Sequence, residues 1–429
     1  MTGIDNFQIS TNTMPLVPPG FKQTEVGVIP EDWELKNLGD LGKVVRGGSP
    51  RPAGDPRYFN GDFIPWLTVA ALTKISEYQL NVKQTVGCLT EEGSKLSRTL
   101  PEETLIIANS GATLGVVKIL GITCCANDGI AAIIDQRHGD KTFVCYFVNT
   151  QTQRLREVIA TGNGQPNLNT KLIREISIPF PPLPEQRAIA AALSDVDALL
   201  EGLDRLIAKK RDLKQATMQQ LLTGKTRLPG FEGEWEKTEL GQFVTFFSGG
   251  TPSRSNESYW NGGIPWISAT TLRTFYIYRS ESNVTKEAVA AGSTMAPINA
   301  TLLLVRGSSL HKEILAGLVT KPVCFNQDVK ALLPNTTVLP EFLTFLLHGK
   351  SNDLLKLVSS AGNTAGVLDT KILKAFEVLL PAREEQEAIS TVLSDIDTEI
   401  AALEQRRAKT KDLKQGMMQE LLTGRTRLV

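Results

Sequence analysis

Three short polar loops carry the residues that are best suited to recognise a ligand, and each loop occurs twice. Loop 1 is 46–51 in the first half and 248–254 in the second, loop 2 is 109–113 and 306–309, and loop 3 is 162–167 and 362–365. Glycine lets a backbone approach a phosphate closely, while arginine, asparagine and glutamine carry the paired hydrogen-bonding groups that distinguish guanine from adenine. These residue types therefore indicate a DNA-binding surface.

Each loop taken singly could instead be an ordinary solvated turn, and for any one residue that interpretation is the better one. The repetition of all three loops in both halves favours a binding surface. The predicted DNA-binding residues are Arg46, Ser49, Arg51, Ser110, Thr113, Asn163, Gln165, Asn167, Thr251, Arg254, Arg306, Ser308, Ser309 and Asn363.

Residues that could catalyse a reaction are scarce. The chain has only three histidines, which leaves little material for acid–base or metal chemistry. Gly224-Lys225-Thr226 resembles the end of a phosphate-binding loop, but Gln219 stands where that motif needs its first glycine. The five cysteines contain no CxxC pair, so structural zinc is not expected. We predict a non-enzymatic chain without a metal or cofactor of its own.

Length and charge set further expectations. The 429 residues suffice for two or more domains. The 46 basic and 46 acidic residues cancel, and because phosphate contacts need lysine and arginine, DNA binding would require a local basic surface and help from a more basic partner. No stretch is apolar enough for a membrane helix, and the N-terminus does not resemble a secretory signal. We therefore expect a cytoplasmic protein.

An internal repeat of about 200 residues organises the chain. Residues 185–228 match residues 385–428 at 24 of 44 positions without a gap. Upstream the match is weaker, although Ile-Pro-Trp recurs at 64–66 and 264–266, and Asp128 aligns with Asp328. The chain is therefore a tandem of two units, each with a variable domain of about 150 residues and a more uniform segment of about 45.

The uniform segments are predicted to be long helices that pair with each other. Apolar residues recur at alternating steps of four and three from 189 to 207 and from 389 to 403, which is the pattern of a coiled coil. After basic clusters at 209–211 and 406–407, this stripe is predicted to resume at Leu213, Leu221, Leu413 and Leu421. A helix of about 38 residues spans about 57 Å. With only two copies present, the economical arrangement pairs them with each other, and a pseudo-twofold axis between the two halves would make the pair antiparallel.

The variable segments are predicted to be mixed domains. Strand-forming runs at 104–108, 115–120, 130–134, 301–305 and 329–333 alternate with turns, and helices are expected at 143–159 and 341–358. The predicted fold class is α+β, with two similar mixed α/β domains separated by two long antiparallel helices in a pseudo-twofold internal repeat. The predicted boundaries are an N-terminal arm at 1–20, domain 1 at 21–183, a long helix at 184–228, domain 2 at 229–381 and a second long helix at 382–429.

In this order and in duplicate, these motifs resemble the specificity subunits of type I restriction–modification systems. The resemblance rests on Ile-Pro-Glu-Asp-Trp at 29–33, the Gly-Gly-Ser-Pro and Gly-Gly-Thr-Pro loops, both Ile-Pro-Trp segments, and the proline-rich run at 178–186 that leads into a long helix. It extends over nearly the whole chain after Gly20. The second copy departs from the pattern at 379–386, where fewer prolines occur, and this affects only the local turn.

The resemblance implies that each variable domain is a target-recognition domain for one half of a split DNA sequence, and that the helices fix the unread spacer. It implies two methyltransferase subunits as partners and, in complexes that also cleave DNA, two restriction subunits. S-adenosylmethionine, ATP and Mg would then be bound by those partners. The helices would dock the methyltransferases through Lys209, Lys210, Arg211, Lys214, Arg406, Arg407, Lys411 and Lys414. The remaining alternative is a non-enzymatic protein-interaction scaffold with duplicated domains on a coiled-coil rod.

Overall fold

The computed structural model describes residues 17–160, 166–361 and 365–428, and the chain divides into two compact units. Unit 1 comprises 1–205 together with 404–429, and unit 2 comprises 206–403. Each unit therefore contains one variable domain and a part of both long helices. No helix within the described ranges is long and apolar enough to cross a membrane.

Unit 1 is built from short strands and helices, followed by the first long helix. Its strands are β1 (Phe21–Thr24), β2 (Gly27–Pro30), β3 (Glu34–Asn37), β4 (Lys43–Arg46), β5 (Phe59–Gly61), β6 (Ile64–Leu67), β7 (Asn81–Val82), β8 (Gly87–Leu89), β9 (Arg98–Leu100), β10 (Leu105–Ala108), β11 (Val117–Leu120), β12 (Cys124–Ala126), β13 (Ile130–Ile134) and β14 (Ser177–Phe180). Its short helices are α1 (Leu38–Leu41), α2 (Val69–Leu72), α3 (Glu91–Lys95), α4 (Lys141–Thr150), α5 (Thr152–Arg154) and α6 (Thr170–Arg174), with a π-helical turn at Leu155–Ile159.

Two five-stranded sheets form the body of this domain, with strand orders β4-β13-β10-β11-β7 and β5-β8-β6-β12-β9. Side chains of the first sheet alternate between two cores because successive residues of a strand point to opposite faces. Leu105 and Ile107 belong to the core beneath α4, whereas Ile106 and Ala108 belong to the core shared with the second sheet. The first sheet is thus covered on both faces, which explains why its inner strands β10 and β13 are entirely apolar.

Unit 2 repeats this plan. Its strands are β15 (Glu236–Glu239), β16 (Val244–Ser248), β17 (Trp260–Ile267), β18 (Tyr276–Ile277), β19 (Asn283–Val284), β20 (Thr294–Met295), β21 (Thr301–Leu304), β22 (Arg306–Gly307), β23 (Ala316–Val319), β24 (Cys324–Phe325), β25 (Val329–Pro334), β26 (Ser359–Ala361), β27 (Ala365–Val367) and β28 (Glu377–Leu380). Its short helices are α8 (Leu240–Phe243), α9 (Lys286–Ala290), α10 (Pro340–Gly349), α11 (Ser351–Lys356) and α12 (Thr370–Lys374), with 3-10 turns at Glu257–Tyr259 and Ser308–His311. The sheet order β16-β25-β21-β23-β18 is the counterpart of the first sheet in unit 1. The predicted α+β class is therefore confirmed.

The helices predicted at 143–159 and 341–358 are shorter and divided. Helix α4 begins at Lys141, because the side chain of Asp140 accepts a hydrogen bond from the backbone N–H of Phe143 (2.9 Å). It ends at Thr150 and is followed by α5 and the π-helical turn. In unit 2, Lys350 separates α10 from α11.

The two long helices are confirmed at 39 residues each, Leu183–Leu221 (α7) and Arg383–Leu421 (α13). In unit 1, Asp197 pairs with Lys414 (2.6 Å) and Asp204 pairs with Arg407. In unit 2, Lys210 pairs with Glu399 and Lys214 pairs with Asp397 (2.6 Å). Within each unit the partner number falls along one helix as the number rises along the other, so the pairing is antiparallel.

The predicted apolar stripe is confirmed in the first part of each long helix and again at Leu221 and Leu421, which are buried, but it is wrong at Leu213 and Leu413. Ile189, Leu193 and Leu200 are fully buried. Leu213 and Leu413, however, are 49% and 58% exposed. The inward position belongs to the next residue, because Lys214 and Lys414 each pair with an aspartate of the other helix. A lysine at the buried position turns the preceding leucine outward.

Each unit contains a buried glutamate that accepts hydrogen bonds from a tryptophan and an arginine. In unit 1, the side chain of Glu185 is fully buried and accepts hydrogen bonds from the indole N–H of Trp33 (3.1 Å) and from Nη2 of Arg427 (2.8 Å). In unit 2, Glu385 accepts from Trp235 (3.1 Å) and Arg227 (2.6 Å). We call each set a glutamate clasp. Each clasp joins the start of one long helix to the segment after the end of the other.

Candidate nucleic-acid interface

Loop 1 of unit 1 is organised around Asp128. The hydroxyl of Ser49 donates to Oδ1 of Asp128 (2.7 Å), and Nη2 of Arg51 lies 3.4 Å from Oδ2. Nε of Arg46 donates to the backbone carbonyl of Asp128 (2.6 Å). The hydrogen bond from Ser49, with the nearby charges of Arg46 and Arg51, lowers the pKa of the Asp128 carboxyl below its ordinary value. Loop 1 is thus held by a carboxylate that stays ionised.

Loop 2 also contacts Asp128, and the end of loop 3 contacts loop 2. The side-chain amide of Asn109 donates to the carbonyl of Asp128 (3.2 Å), and Ser110 forms an isolated β-bridge with Asn167. The backbone N–H of Leu168 donates to the carbonyl of Asn109 (2.9 Å). The structure therefore brings loops 1 and 2 together with Asn167 at the end of loop 3, whereas Asn163 and Gln165 lie outside the described residues.

Unit 2 brings loops 1 and 2 together in a similar way. In loop 1, the hydroxyl of Thr251 donates to Oε1 of Gln327 (2.5 Å). In loop 2, the backbone N–H of Arg306 donates to the carbonyl of Asp328 (3.2 Å). Arg306 also pairs with Val367, the second residue after loop 3, as part of the β22–β27 ladder. Asn363 lies outside the described residues.

The hydrogen bonds correct the alignment of Asp128 with Asp328. Gly48 donates to the carbonyl of Ala126, and Gly250 donates to that of Phe325 (both 2.9 Å). Position 126 thus matches 325, so the structural counterpart of Asp128 is Gln327. Identical letters misled the alignment, because the backbone register and not residue identity determines which side chain reaches loop 1.

Gly47 and Gly249 of loop 1 have a structural role that differs from the predicted one, which was to let the backbone approach a phosphate. A Cβ atom at Gly47 would lie 2.1 Å from the carbonyl oxygen of Asn127, and one at Gly249 would lie 2.2 Å from that of Asn326. Any side chain here would collide with backbone that cannot easily move. These glycines allow the loop to pack against its own domain, whereas Gly48 is more open, with its nearest neighbours at 3.9 Å.

The predicted DNA-binding residues differ in exposure. Those that are exposed are Arg46, Arg51, Thr251, Arg254, Arg306 and Ser308. Those that are half-buried are Ser49, Ser110, Thr113, Asn167 and Ser309. The guanidinium of Arg254 lies over the ring of Trp260, 5.9 Å from its centroid. Their roles in binding stay predictions.

Three residues beside the loops were missed by the sequence reasoning. Nε of Arg98 donates to the carbonyl of Arg46 (2.7 Å), and the hydroxyl of Ser97 donates to that of Gly48 (2.6 Å). Nη2 of Arg156 donates to the carbonyl of Ala112 in loop 2 (2.6 Å). Thr294 takes the place of Arg98 in unit 2, since Arg98 pairs with residue 126 and Thr294 with residue 325. Comparison of the two halves therefore could not reveal it.

The family of the chain follows from comparison with known proteins. The model of the type I restriction modification DNA specificity domain matches twice, at residues 30–209 and 232–411. Together the two matches cover most of the chain. The chain belongs to this family.

Named relatives support the assignment of two specificity domains. The chain is 30% identical over 263 residues to the specificity subunit of the type I restriction enzyme EcoR124I/EcoR124II of Escherichia coli, a match that covers 60% of this chain and 63% of that subunit. It is 23% identical over 436 residues to the MjaVIII specificity subunit of Methanocaldococcus jannaschii, covering 95% and 96%.

Solved structures share the fold of the specificity domains. One is a chain from a study of complex assembly and conformational transition in the type I R-M system, with a TM-score of 0.58 at 17% identity, covering 92% of this chain and 99% of that one. Another is the S subunit of the M. genitalium type I restriction–modification system, with a TM-score of 0.57 at 17% identity, covering 91% and 96%.

Five of the eight basic residues that were predicted to dock a partner form ion pairs within their own unit. Lys210, Lys214, Arg407 and Lys414 form the ion pairs between the long helices, and Lys411 pairs with Glu77 (2.9 Å). Lys209, Arg211 and Arg406 are exposed. The docking role of all eight stays a prediction, and the structure adds that five of them hold their own unit together.

Proposed function

We propose that this chain is the DNA-recognition subunit of a type I restriction–modification complex, and that each specificity domain reads one half of a bipartite target. The observation that carries the proposal is the meeting of polar loops in both units, around Asp128 in one and Gln327 in the other, with Arg46 and Arg51 exposed in the first and Arg254 and Arg306 in the second. An exposed arginine on a loop that is held at its base can make bidentate contacts with guanine or pair with phosphate.

Catalysis belongs to partner subunits in this proposal. Methyltransferase subunits would bring S-adenosylmethionine, and restriction subunits, where they occur, would bring ATP and Mg. The chain itself would supply the sequence specificity, and its long helices would set the spacer between the two half-targets. Each long helix contributes to both units, which suits such a role.

The docking surface for the methyltransferases is a face of the long helices that is exposed and yet identical in both copies. A buried position can be shared because both copies pack alike, but an exposed identity needs a common external contact. This repeated face consists of Ala208, Lys209, Asp212, Leu213, Gln215 and Gln219 on α7, and Ala408, Lys409, Asp412, Leu413, Gln415 and Gln419 on α13. Two copies of one methyltransferase subunit would each recognise one of these faces.

Methylome mapping of cells that carry this chain and its methyltransferase tests the recognition proposal. We expect adenine methylation at one split sequence, and a shift of duplex DNA of that sequence by the purified complex. Arg51→Ala should relax the base preference in one half of the target and Arg254→Ala in the other, each by about 1–3 kcal/mol if the side chain contacts a base. A complex that binds the partner but methylates no defined sequence would favour the scaffold alternative.

The docking proposal has a matched control within the chain. Leu213→Asp and Leu413→Asp should each remove one methyltransferase subunit from the complex, and the double variant should remove both. Leu199→Asp is the control, because Leu199 is 42% exposed but Glu399 replaces it in the second copy. Mass photometry of the reconstituted complexes gives the stoichiometry. Equal loss with Leu199→Asp would contradict a contact through the repeated face.

A further inference from the structure

Loop 1 is held by the same hydrogen bond in both units, but the acceptor differs in charge. Ser49 donates to the carboxylate of Asp128 (2.7 Å), and Thr251 donates to the carboxamide of Gln327 (2.5 Å). The two acceptors occupy matched positions, since each lies two residues after the carbonyl that accepts from Gly48 or Gly250. A neutral amide is therefore sufficient to hold the loop.

The negative charge of Asp128 is therefore available for something besides the fold of the loop. In unit 1, Arg51 lies 3.4 Å from Oδ2 of Asp128, and the backbone carbonyl of the same residue accepts from Arg46. In unit 2, the guanidinium of Arg254 lies over the ring of Trp260. The carboxylate thus accompanies a loop arginine that it can orient.

We propose that Asp128 is a positioning residue that orients Arg51 for base recognition and restrains its attraction to phosphate, so that it sets the selectivity of the first domain. This inference rests on the proposed DNA-recognition function. Gln327 occupies the matched place in the second domain without that charge. The two domains therefore read their half-targets with a different charge beside loop 1, negative in the first domain and neutral at the matched position of the second.

The geometry of the pair suits such a role. The side chains of Arg51 and Asp128 are 71% and 43% exposed, so their attraction is screened by water and can be exchanged for a contact with DNA. A guanidinium held in one orientation presents its N–H donors in a fixed geometry that suits a bidentate contact. A released one can follow any nearby phosphate, which increases binding to unrelated sequences and its dependence on salt.

Asp128→Asn tests the inference in the full-length chain assembled with its methyltransferase. The asparagine keeps an acceptor for Ser49, as Gln327 does for Thr251, so the loop should keep its shape. Asp328→Asn is the matched control, because it removes the same charge near the loops of unit 2, where the carboxylate of Asp328 accepts from the side-chain amide of Asn326 (3.1 Å). Binding is measured on the methylome-defined duplex, on duplexes with either half scrambled, and on an unrelated duplex, between 50 and 300 mM salt.

We expect Asp128→Asn to steepen the plot of log affinity against log salt by about 0.9 on the unrelated duplex, which corresponds to one additional phosphate contact. The preference for an intact first half should fall about fivefold or more, and the preference for the second half should stay. In an Arg51→Ala background, Asp128→Asn should change neither quantity. Asp328→Asn should leave the first-half preference unchanged.

The outcomes separate this inference from the proposed function. If the unsubstituted complex shows no sequence preference, the proposed function fails. If it prefers its split target and Asp128→Asn retains both the salt dependence and the first-half preference, the positioning role fails alone. The positioning role also fails if Asp128→Asn weakens binding equally on all duplexes or acts without Arg51. Melting temperatures of all variants identify a loss of folding, and in that case Asp128→Glu, which keeps the charge, must restore both quantities.

Discussion

Arg427→Ala should destabilise unit 1, because it leaves the buried carboxylate of Glu185 without its cation. Glu185 and Trp33 are completely buried, and the Arg427 side chain is 35% exposed. After the substitution, the indole N–H of Trp33 would be the one clasp donor left to this carboxylate. The group cannot easily regain water, because Trp33 and the helix start at Leu183 enclose it.

The size of the effect follows from these exposures. Removal of one partner from a buried ion pair costs about 3–5 kcal/mol. Since Arg427 is partly exposed and water screens part of its attraction, we expect about 2–4 kcal/mol. For a unit of this size, 1 kcal/mol shifts the melting temperature by about 2–4 °C, so the transition of unit 1 should fall by about 5–15 °C.

Differential scanning calorimetry measures the shift, and hydrogen exchange assigns it to a unit. Arg425→Ala is the control, since that side chain is 65% exposed and lies 4.0 Å from Glu420, so little change is expected. Glu185→Gln combined with Arg427→Ala should recover part of the loss, because a neutral amide needs no cation. Arg227→Ala should lower the transition of unit 2 through Glu385 in the same way.

Two results would refute this reasoning. If Arg427→Ala melts like Arg425→Ala, the clasp does not stabilise unit 1. If the double variant is less stable than Arg427→Ala alone, the cost does not come from the carboxylate of Glu185, and the packing of the arginine stem or its ion pair with Asp32 (2.9 Å) must be responsible.

Two further predictions concern acid sensitivity and spacer length. Burial lowers the pKa of His348 below its ordinary 6.5, so the unfolded chain takes up a proton below about pH 6.5 that folded unit 2 does not, and the stability of unit 2 should fall as the pH drops from there. Asn149 is the counterpart of His348 in unit 1, since its side chain bonds the carbonyl of Val117 as His348 bonds that of the matched Ala316. His348→Asn should therefore weaken the dependence of the melting temperature of unit 2 on pH between about pH 5 and 7.5. Four residues inserted into both long helices, after Ala208 in α7 and after Ala402 in α13, should lengthen the preferred spacer by about 6 Å, or about two base pairs. Methylome maps should show unchanged half-sequences. Changed half-sequences with the old spacer would contradict the proposal that the helices set the spacer.

The sequence was sufficient for the features that depend on local pattern and on repetition. The lengths of both helices, their antiparallel pairing and the buried positions Ile189, Leu193 and Leu200 follow from a heptad pattern and from the presence of only two copies. The three loops were found because glycine and polar residues recur at matching places. Such signals are short local patterns and their recurrence about 200 residues later, and neither needs knowledge of the tertiary fold.

Tertiary structure decided which side chains meet. Leu213 looks like a stripe residue, but Lys214 takes the inward place because Asp397 lies opposite it, 183 residues away in the chain. Arg98 supports loop 1, and Gln327 replaces Asp128, only because strands distant in sequence are aligned by backbone hydrogen bonds. Pairing between charges depends on distances that sequence spacing does not encode, whereas helix periodicity is built into the backbone itself. The sequence therefore determines the elements and their order, and the packed structure determines the partner of each charge.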